Sequence, residues 1–97
     1  MNESEYLKIL KIICKYYGID KEEILELLKN KENRFLLILI LKNNNCLIDY
    51  KLTSILGIES GRSIKNTIRK AEEKFLINTY FRKKYLELEK NIKKEMN

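Results

Sequence analysis

The stretch Phe35-Leu36-Leu37-Ile38-Leu39-Ile40-Leu41 decides the fold, because it is the longest apolar run of the chain and has no polar side. A helix that is apolar all round must be enclosed by neighbouring elements. We therefore predict a helix at the centre of a bundle, capped by Asn33 and ended by Lys42-Asn43-Asn44-Asn45. A buried strand is the competing interpretation, since periodicity cannot separate the two in so short a run.

Two helices are predicted before this run. The first ends at Gly18, because glycine readily adopts the left-handed conformation that closes many helices. Asp20 begins the second, in which Glu23 completes a capping box, and this helix extends to about Lys29. Apolar residues at steps of three and four form the inward faces: Tyr6, Ile9, Leu10, Ile13 and Tyr17 in the first helix, and Ile24, Leu27 and Leu28 in the second.

Three further helices are predicted after the apolar run. Asp49 caps a short helix that Gly57 closes, and Ser60 caps a long helix that extends to Ile77. Asn78-Thr79 separates it from a final helix, whose last few residues we expect to fray. The inward residues are Leu52, Ile55 and Leu56 in the short helix, Ile64, Ile68, Ala71, Phe75 and Leu76 in the long one, and Phe81, Tyr85, Leu88 and Ile92 in the last.

These elements predict an all-α fold, a small bundle of five to six helices in one domain that spans residues 1–97. The absence of proline and the presence of only 3 glycines argue against a sheet of short strands. Within the bundle, a short helix, a glycine turn and a long helix follow one another over about residues 49–77. This is the layout of a helix-turn-helix.

Several function classes lack the residues that they require. The chain has no histidine, and Cys14 and Cys46 are isolated, so we expect packing cysteines and neither a metal site nor a cofactor. Without a nucleophile motif or phosphate-binding loop, we expect no enzyme and no small-molecule substrate. Because the N-terminus lacks the pattern of a signal peptide and the longest apolar run is too short to span a bilayer, we expect a cytoplasmic protein without a membrane partner.

Residues 60–85 carry the whole net charge of +6. The basic side chains there are Arg62, Lys65, Arg69, Lys70, Lys74, Arg82, Lys83 and Lys84, and the acidic ones are Glu72 and Glu73. Acidic and basic residues balance in the rest of the chain. So localised a positive charge attracts polyanions, nucleic acids among them.

At about 100° per residue, the side of the long helix opposite its apolar residues is polar. We predict that Arg62, Ser63, Asn66 and Arg69 face DNA bases, since arginine and asparagine pair with guanine and adenine edges. Phosphate contacts are predicted for Ser60, Lys65 and Lys70, together with Lys29, Lys31 and Arg34 in the loop before the apolar helix. The alternative is that both groups are solvated surface, as on any amphipathic helix.

Short motifs add a family resemblance. Tyr16-Tyr17-Gly18-Ile19 is followed by Ile24-Leu25, Leu56-Gly57 closes the predicted short helix, and Ile64 precedes Arg69-Lys70-Ala71-Glu72. Taken in order, these motifs resemble three motifs of one domain family. The family's motifs are a Tyr-Tyr-x-Ile followed by an apolar pair, a Phe-Gly, and a Val followed by Arg-Lys-Ile-Glu. The family that they resemble comprises the C-terminal DNA-binding domain of the bacterial replication initiator DnaA and the related tail domain of REP-associated transposases.

The resemblance covers residues 6–88 and implies an all-helical domain that places its second motif helix in the DNA major groove. Ser60 and Ser63-Ile64 look like the transposase-type pattern, whereas the Arg, Asp and His of the initiator's DNA-reading segment are absent. We therefore predict sequence-specific binding of double-stranded DNA, in the control of replication, transcription or transposition. The alternative function is a protein-interaction module that uses the C-terminal helix and the basic face.

Overall fold

The structure is a computed structural model that describes residues 3–45 and 61–96. Over these ranges the chain forms α1 (Glu3–Tyr17), a 3₁₀ turn (Lys21–Glu23), α2 (Ile24–Leu27), α3 (Lys31–Asn43), α4 (Gly61–Ile77) and α5 (Thr79–Met96), and no strand. The predicted all-α class is confirmed. Cys46, the helix predicted between Asp49 and Gly57, and Ser60 lie outside the described residues, so the helix-turn-helix stays a prediction.

Helix α3 lies at the centre of the bundle, as predicted. Its seven apolar residues from Phe35 to Leu41 are all buried, none of them more than 8% exposed. The strand interpretation of this run is excluded because the backbone is helical from Lys31 to Asn43. Helices α4 and α5 pack against α3, and Asn33 joins it to Tyr17 of α1 and Leu27 of α2.

The start of α3 corrects a prediction. Asn30, and not Asn33, is the N-cap, and its Oδ1 accepts a hydrogen bond of 3.1 Å from the backbone N–H of Asn33. Asn33 lies inside the first turn, where its side chain joins two other elements. Its Nδ2 donates to the carbonyl of Leu27 at 3.0 Å, and its Oδ1 accepts from the Tyr17 hydroxyl at 3.2 Å.

Helix α1 ends as predicted, at Gly18, which has a φ of +67°. The backbone N–H of Ile19 donates to the carbonyl of Cys14 at 2.9 Å, and that of Gly18 donates to the carbonyl of Lys15 at 3.2 Å. This pair of bonds is a Schellman motif, which satisfies carbonyls at the helix end. The Cys14 side chain is buried as predicted, and its burial raises the pKa of the thiol.

The second predicted helix is shorter than expected. The Glu23 carboxylate accepts from the backbone N–H of Asp20 at 2.9 Å, but a 3₁₀ turn follows, and α2 has only 4 residues. Leu28 is buried, whereas Ile24 and Leu27 are half-buried. The helix cannot continue to Lys29 because Asn30 must adopt the extended backbone that caps α3.

Helices α4 and α5 meet at Asn78, as the sequence predicted. Its backbone N–H donates to the carbonyl of Lys74 at 2.8 Å, while its Oδ1 accepts from the N–H of Phe81 at 2.9 Å. Asn78 thus ends one helix and caps the next. Ile64 and Ala71 are buried and Ile68 and Phe75 half-buried, as expected for the inward face of α4.

Leu76 corrects the predicted inward face of α4, since its side chain is 74% exposed. It follows Phe75 directly, and one residue turns an α-helix by about 100°. The core therefore holds Phe75 and leaves Leu76 at the side of the helix. Ile77, at the end of the helix, is also exposed.

Helix α5 buries Phe81, Tyr85, Leu88 and Ile92, as predicted. The helix continues to Met96, which packs against the core, so the residues just before Asn97, where we expected fraying, are helical. An ion pair of 3.2 Å between Glu95 and Lys15 also joins this end to α1. Among the described helices, none has the length and apolarity needed to cross a membrane.

A polar network ties the end of α3 to α5. Asn43 Nδ2 donates to the Tyr85 hydroxyl at 2.7 Å, and that hydroxyl donates to the Glu89 carboxylate. Asn44 Nδ2 donates to the same carboxylate at 3.1 Å. Burial, together with the bond to Glu89, raises the pKa of Tyr85, so this hydroxyl stays protonated as a donor.

The phases of α4 and α5 can be tested by two truncations. Phe81 is fully buried, so we expect Phe81→Ala to lower the free energy of unfolding by about 3–5 kcal/mol. Leu76→Ala removes a large but exposed side chain and should change it by less than about 0.5 kcal/mol. Urea melts of the two variants make the comparison, and similar losses would contradict the assigned phase of α4.

Candidate nucleic-acid interface

The inward residues of α4 determine which side chains it presents to solvent. Because Ile64 and Ala71 are buried, the opposite side of the helix faces away from the bundle. We call this side the outer face of α4. Its exposed polar residues are Lys65, Asn66, Arg69, Lys70 and Glu73, and the exposed Ile77 continues the same side one turn after Glu73.

Three cations of the outer face have no ion-pair partner among the described residues. Within residues 3–45 and 61–96, neither Lys65 nor Arg69 nor Lys70 takes part in an ion pair. The acid Glu72 instead pairs with Lys42 of α3. Positive charge on this face is therefore available to a partner.

The N-terminus of α4 lies at one end of this face. Arg62 and Ser63 belong to its first turn, where the structure describes the backbone, and Ser60 precedes the described part of the helix. No acidic residue lies in that first turn. Free backbone N–H groups and the helix dipole favour anions at such an end.

The predicted phosphate loop is only partly a loop: α3 begins at Lys31, so Lys31 and Arg34 lie in its first turns and only Lys29 precedes the helix. Lys29 and Lys31 are exposed. Lys29 pairs with Glu26 at 3.1 Å, and the Lys31 ammonium lies 5.7 Å from the centre of the Phe35 ring. Both contacts are at the surface and contribute little stability, so these lysines can exchange partners.

Arg34 has a structural contact that sequence reasoning missed. Its Nη1 donates to the carbonyls of Leu28 and Lys29, at 2.9 and 3.0 Å. These carbonyls follow α2 and lack partners of their own in a helix. The guanidinium therefore stabilises the corner between α2 and α3, whatever its other donors bind.

Arg82 repeats this arrangement at the corner between α4 and α5. Its Nη1 donates to the carbonyls of Phe75 and Leu76, at 2.9 and 3.0 Å. In both corners an asparagine caps the new helix and an arginine four residues later binds the end of the old one. The spacing Asn30 to Arg34, repeated as Asn78 to Arg82, is the sequence signal that could have identified these arginines.

An ion pair of Glu32 brings the first turn of α3 close to the end of α4. Its carboxylate lies 3.9 Å from the Lys74 ammonium and 4.0 Å from that of Lys84. Lys74 follows Lys70 by one helical turn, so the first turn of α3 lies beside the flank of the outer face. The structure thus brings Glu32 of α3, Lys74 of α4 and Lys84 of α5 together, although they are distant in sequence.

No protein-family model, curated protein or solved structure matches the chain. In the part of the chain that the structure describes, no three carboxylate or thiol side chains are grouped to bind a metal ion. The exposed polar groups of the outer face of α4 are three cations, one amide and one carboxylate. These groups can bind phosphates and the edges of bases.

Substitution of the arginines should separate structural from exposed guanidinium groups. We expect Arg34→Ala and Arg82→Ala each to lower the free energy of unfolding by about 1–2 kcal/mol, because helix-end carbonyls lose a charged donor. Arg69→Ala is the matched control on the outer face and should change it by less than about 0.5 kcal/mol. Thermal or urea unfolding measures all three, and equal effects would contradict the structural assignment of Arg34 and Arg82.

Proposed function

We propose that this protein binds double-stranded DNA sequence-specifically, with the outer face of α4 directed into the major groove. The observation that carries the proposal is the exposure of Lys65, Arg69 and Lys70 on one helix face, without an ion pair in the described residues. A cationic helix face opposite a rigid core suits a duplex, since an α-helix fits the major groove.

The residues of this face have distinct roles in the proposal. Arg69 can bind O6 and N7 of guanine as a fork, and Asn66 can bind N6 and N7 of adenine. Arg62 and Ser63 contact bases near the N-terminus of α4, where its backbone N–H groups and Ser60 meet a phosphate. Lys65 and Lys70, at the sides of the face, bind phosphates.

Lys29 and the first turns of α3 supply the second group of phosphate contacts. Lys29 and Lys31 are the exposed cations there, and their present partners are weak enough to yield to a phosphate. Arg34 contributes through the donors that its bonds to Leu28 and Lys29 leave available. Such contacts fix the register of the protein on the duplex and add affinity without sequence information.

The resemblance to the DnaA C-terminal domain and the transposase tail domains supports this proposal and suggests its setting. On that basis the protein acts by binding, in the control of replication, transcription or transposition. The alternative, an interaction module that uses the C-terminal helix and the basic face, keeps only the basic face as an exposed surface for an acidic partner. The four apolar residues of α5 that it requires are buried in the protein's own core.

Salt dependence tests the electrostatic part of the proposal. We expect the affinity for labelled duplex to fall steeply with salt, with log affinity decreasing by about 0.9 per log unit of salt for each phosphate contact. Lys70→Gln should lower this slope by about one. Lys11→Gln, an equal charge change at an exposed position of α1, is the control and should leave the slope almost unchanged. A salt-independent affinity would contradict the proposal.

Base contacts and phosphate contacts predict different specificity. Asn66→Ala or Arg69→Ala should remove about 1–3 kcal/mol of discrimination at one base position. Lys31→Ala should weaken binding to cognate and random duplex alike. Selection from random duplex DNA first supplies the cognate site, and the ratio of cognate to random affinity at fixed salt is then measured. If Lys31→Ala alone changes that ratio, the base-reading segment has been assigned wrongly.

A further inference from the structure

Three charged side chains from three helices meet beside the outer face of α4. Glu32 of α3 lies between Lys74 of α4 and Lys84 of α5, with N–O distances of 3.9 and 4.0 Å. The three side chains are 29%, 31% and 24% exposed, respectively, so solvent and ligands can reach them. We call this group the Glu32 cluster.

The Glu32 cluster has more positive than negative charge. Two ammonium groups share a single carboxylate, and neither contact is as short as the roughly 2.7–2.9 Å of a charge-assisted hydrogen bond. Ion pairs of this length at a partly exposed site contribute little stability. The carboxylate balances two neighbouring ammonium groups without bonding closely to either.

Aromatic rings hold the two ammonium groups in place independently of Glu32. Lys84 Nζ lies 5.5 Å from the centre of the Tyr17 ring and 6.0 Å from that of Tyr80. Lys74 Nζ lies 5.7 Å from the centre of the Phe81 ring. Cation–π attraction at these distances keeps a cation near the ring faces. The lysines would therefore stay adjacent if another anion replaced the carboxylate.

We propose that Lys74 and Lys84 form a second phosphate site, in which a phosphodiester of the DNA backbone takes the place of the Glu32 carboxylate. This inference rests on the proposed function and extends it beyond the outer face of α4. A phosphodiester has two non-bridging oxygens, and each can accept a hydrogen bond from one ammonium. The exchange replaces one single negative charge with another, so the two ammonium groups face one anion before and after it.

The position of the Glu32 cluster suits a duplex bound to the outer face. Lys74 follows Lys70 by one turn of α4, and Lys31 precedes Glu32 in the first turn of α3. A DNA strand held by Lys70 would reach the cluster one helical turn further along α4. Glu32 then competes with the backbone for the two lysines and lowers the affinity for DNA.

Removal of the competing carboxylate is the central test. Glu32→Gln keeps the size and polarity of the side chain, and we expect it to raise the affinity for duplex about twofold to fivefold, the equivalent of one weak ion pair. Lys74→Gln and Lys84→Gln should each weaken binding and lower the salt slope by about one. Melting curves confirm that each variant is folded.

Two controls separate displacement of Glu32 from a general gain of positive charge. Glu22→Gln, in the 3₁₀ turn, and Glu95→Gln, on α5, remove the same charge from exposed carboxylates outside the proposed interface. Each should raise the affinity less than Glu32→Gln does. In the combined Lys74→Gln, Lys84→Gln background, Glu32→Gln should produce no more gain than these controls.

The outcomes distinguish this site from the proposed function itself. If Arg69→Ala weakens duplex binding but Glu32→Gln matches the two controls, the phosphate site is overturned and DNA binding stands. A gain from Glu32→Gln that persists without Lys74 and Lys84 also overturns the site. A protein that binds no duplex at low salt overturns both proposals.

Discussion

The enclosure of α3 is the constraint on which the rest of the structure depends. A helix with seven buried apolar residues in succession offers no side to water, so other helices must cover it. Its polar requirements are moved to its two ends. Asn30 and Asn33 satisfy the first turn, while Asn43 and Asn44 join the last turn to Tyr85 and Glu89. The charged residues of α3 lie only in its first and last turns, on either side of the apolar run.

The turns between helices depend on a second constraint, the unsatisfied carbonyls at helix ends. At the end of α1, the left-handed backbone conformation of Gly18 allows backbone N–H groups to bind these carbonyls. Arg34 and Arg82 satisfy such carbonyls with a guanidinium that binds backward across a corner. Both arginines contribute to the basic charge of the sequence, yet part of their hydrogen-bonding capacity stabilises the fold.

Apolar spacing predicted the centre of the bundle and the inward face of α5, because burial follows the local pattern of apolar residues. The end of α1 at Gly18 was predicted from the backbone conformation that glycine readily adopts. Apolar spacing could not choose between Asn30 and Asn33 as the cap of α3, since contacts of Asn33 with Tyr17 and Leu27 decide that. The phase of Leu76 failed because apolar character alone does not identify the core side at a helix end. For the candidate site, the sequence predicted exposed cations on α4, but only the fold shows that Glu32 reaches Lys74 and Lys84.

The position of each cation in the fold determines what it can contribute to a polyanion complex. An arginine that holds helix-end carbonyls would lose those bonds if its guanidinium turned fully to a phosphate. A lysine paired with Glu32 binds phosphate only by exchanging one anion for another, which reduces the gain. One helix face holds Lys65, Arg69 and Lys70, which take part in no ion pair within the described part of the chain. These three would give up no ion pair on binding a phosphate. The net charge therefore overstates what the fold leaves available to a polyanion, since Lys74, Arg82 and Lys84 already have partners, whereas the outer face of α4 groups three cations without an ion pair in the described residues.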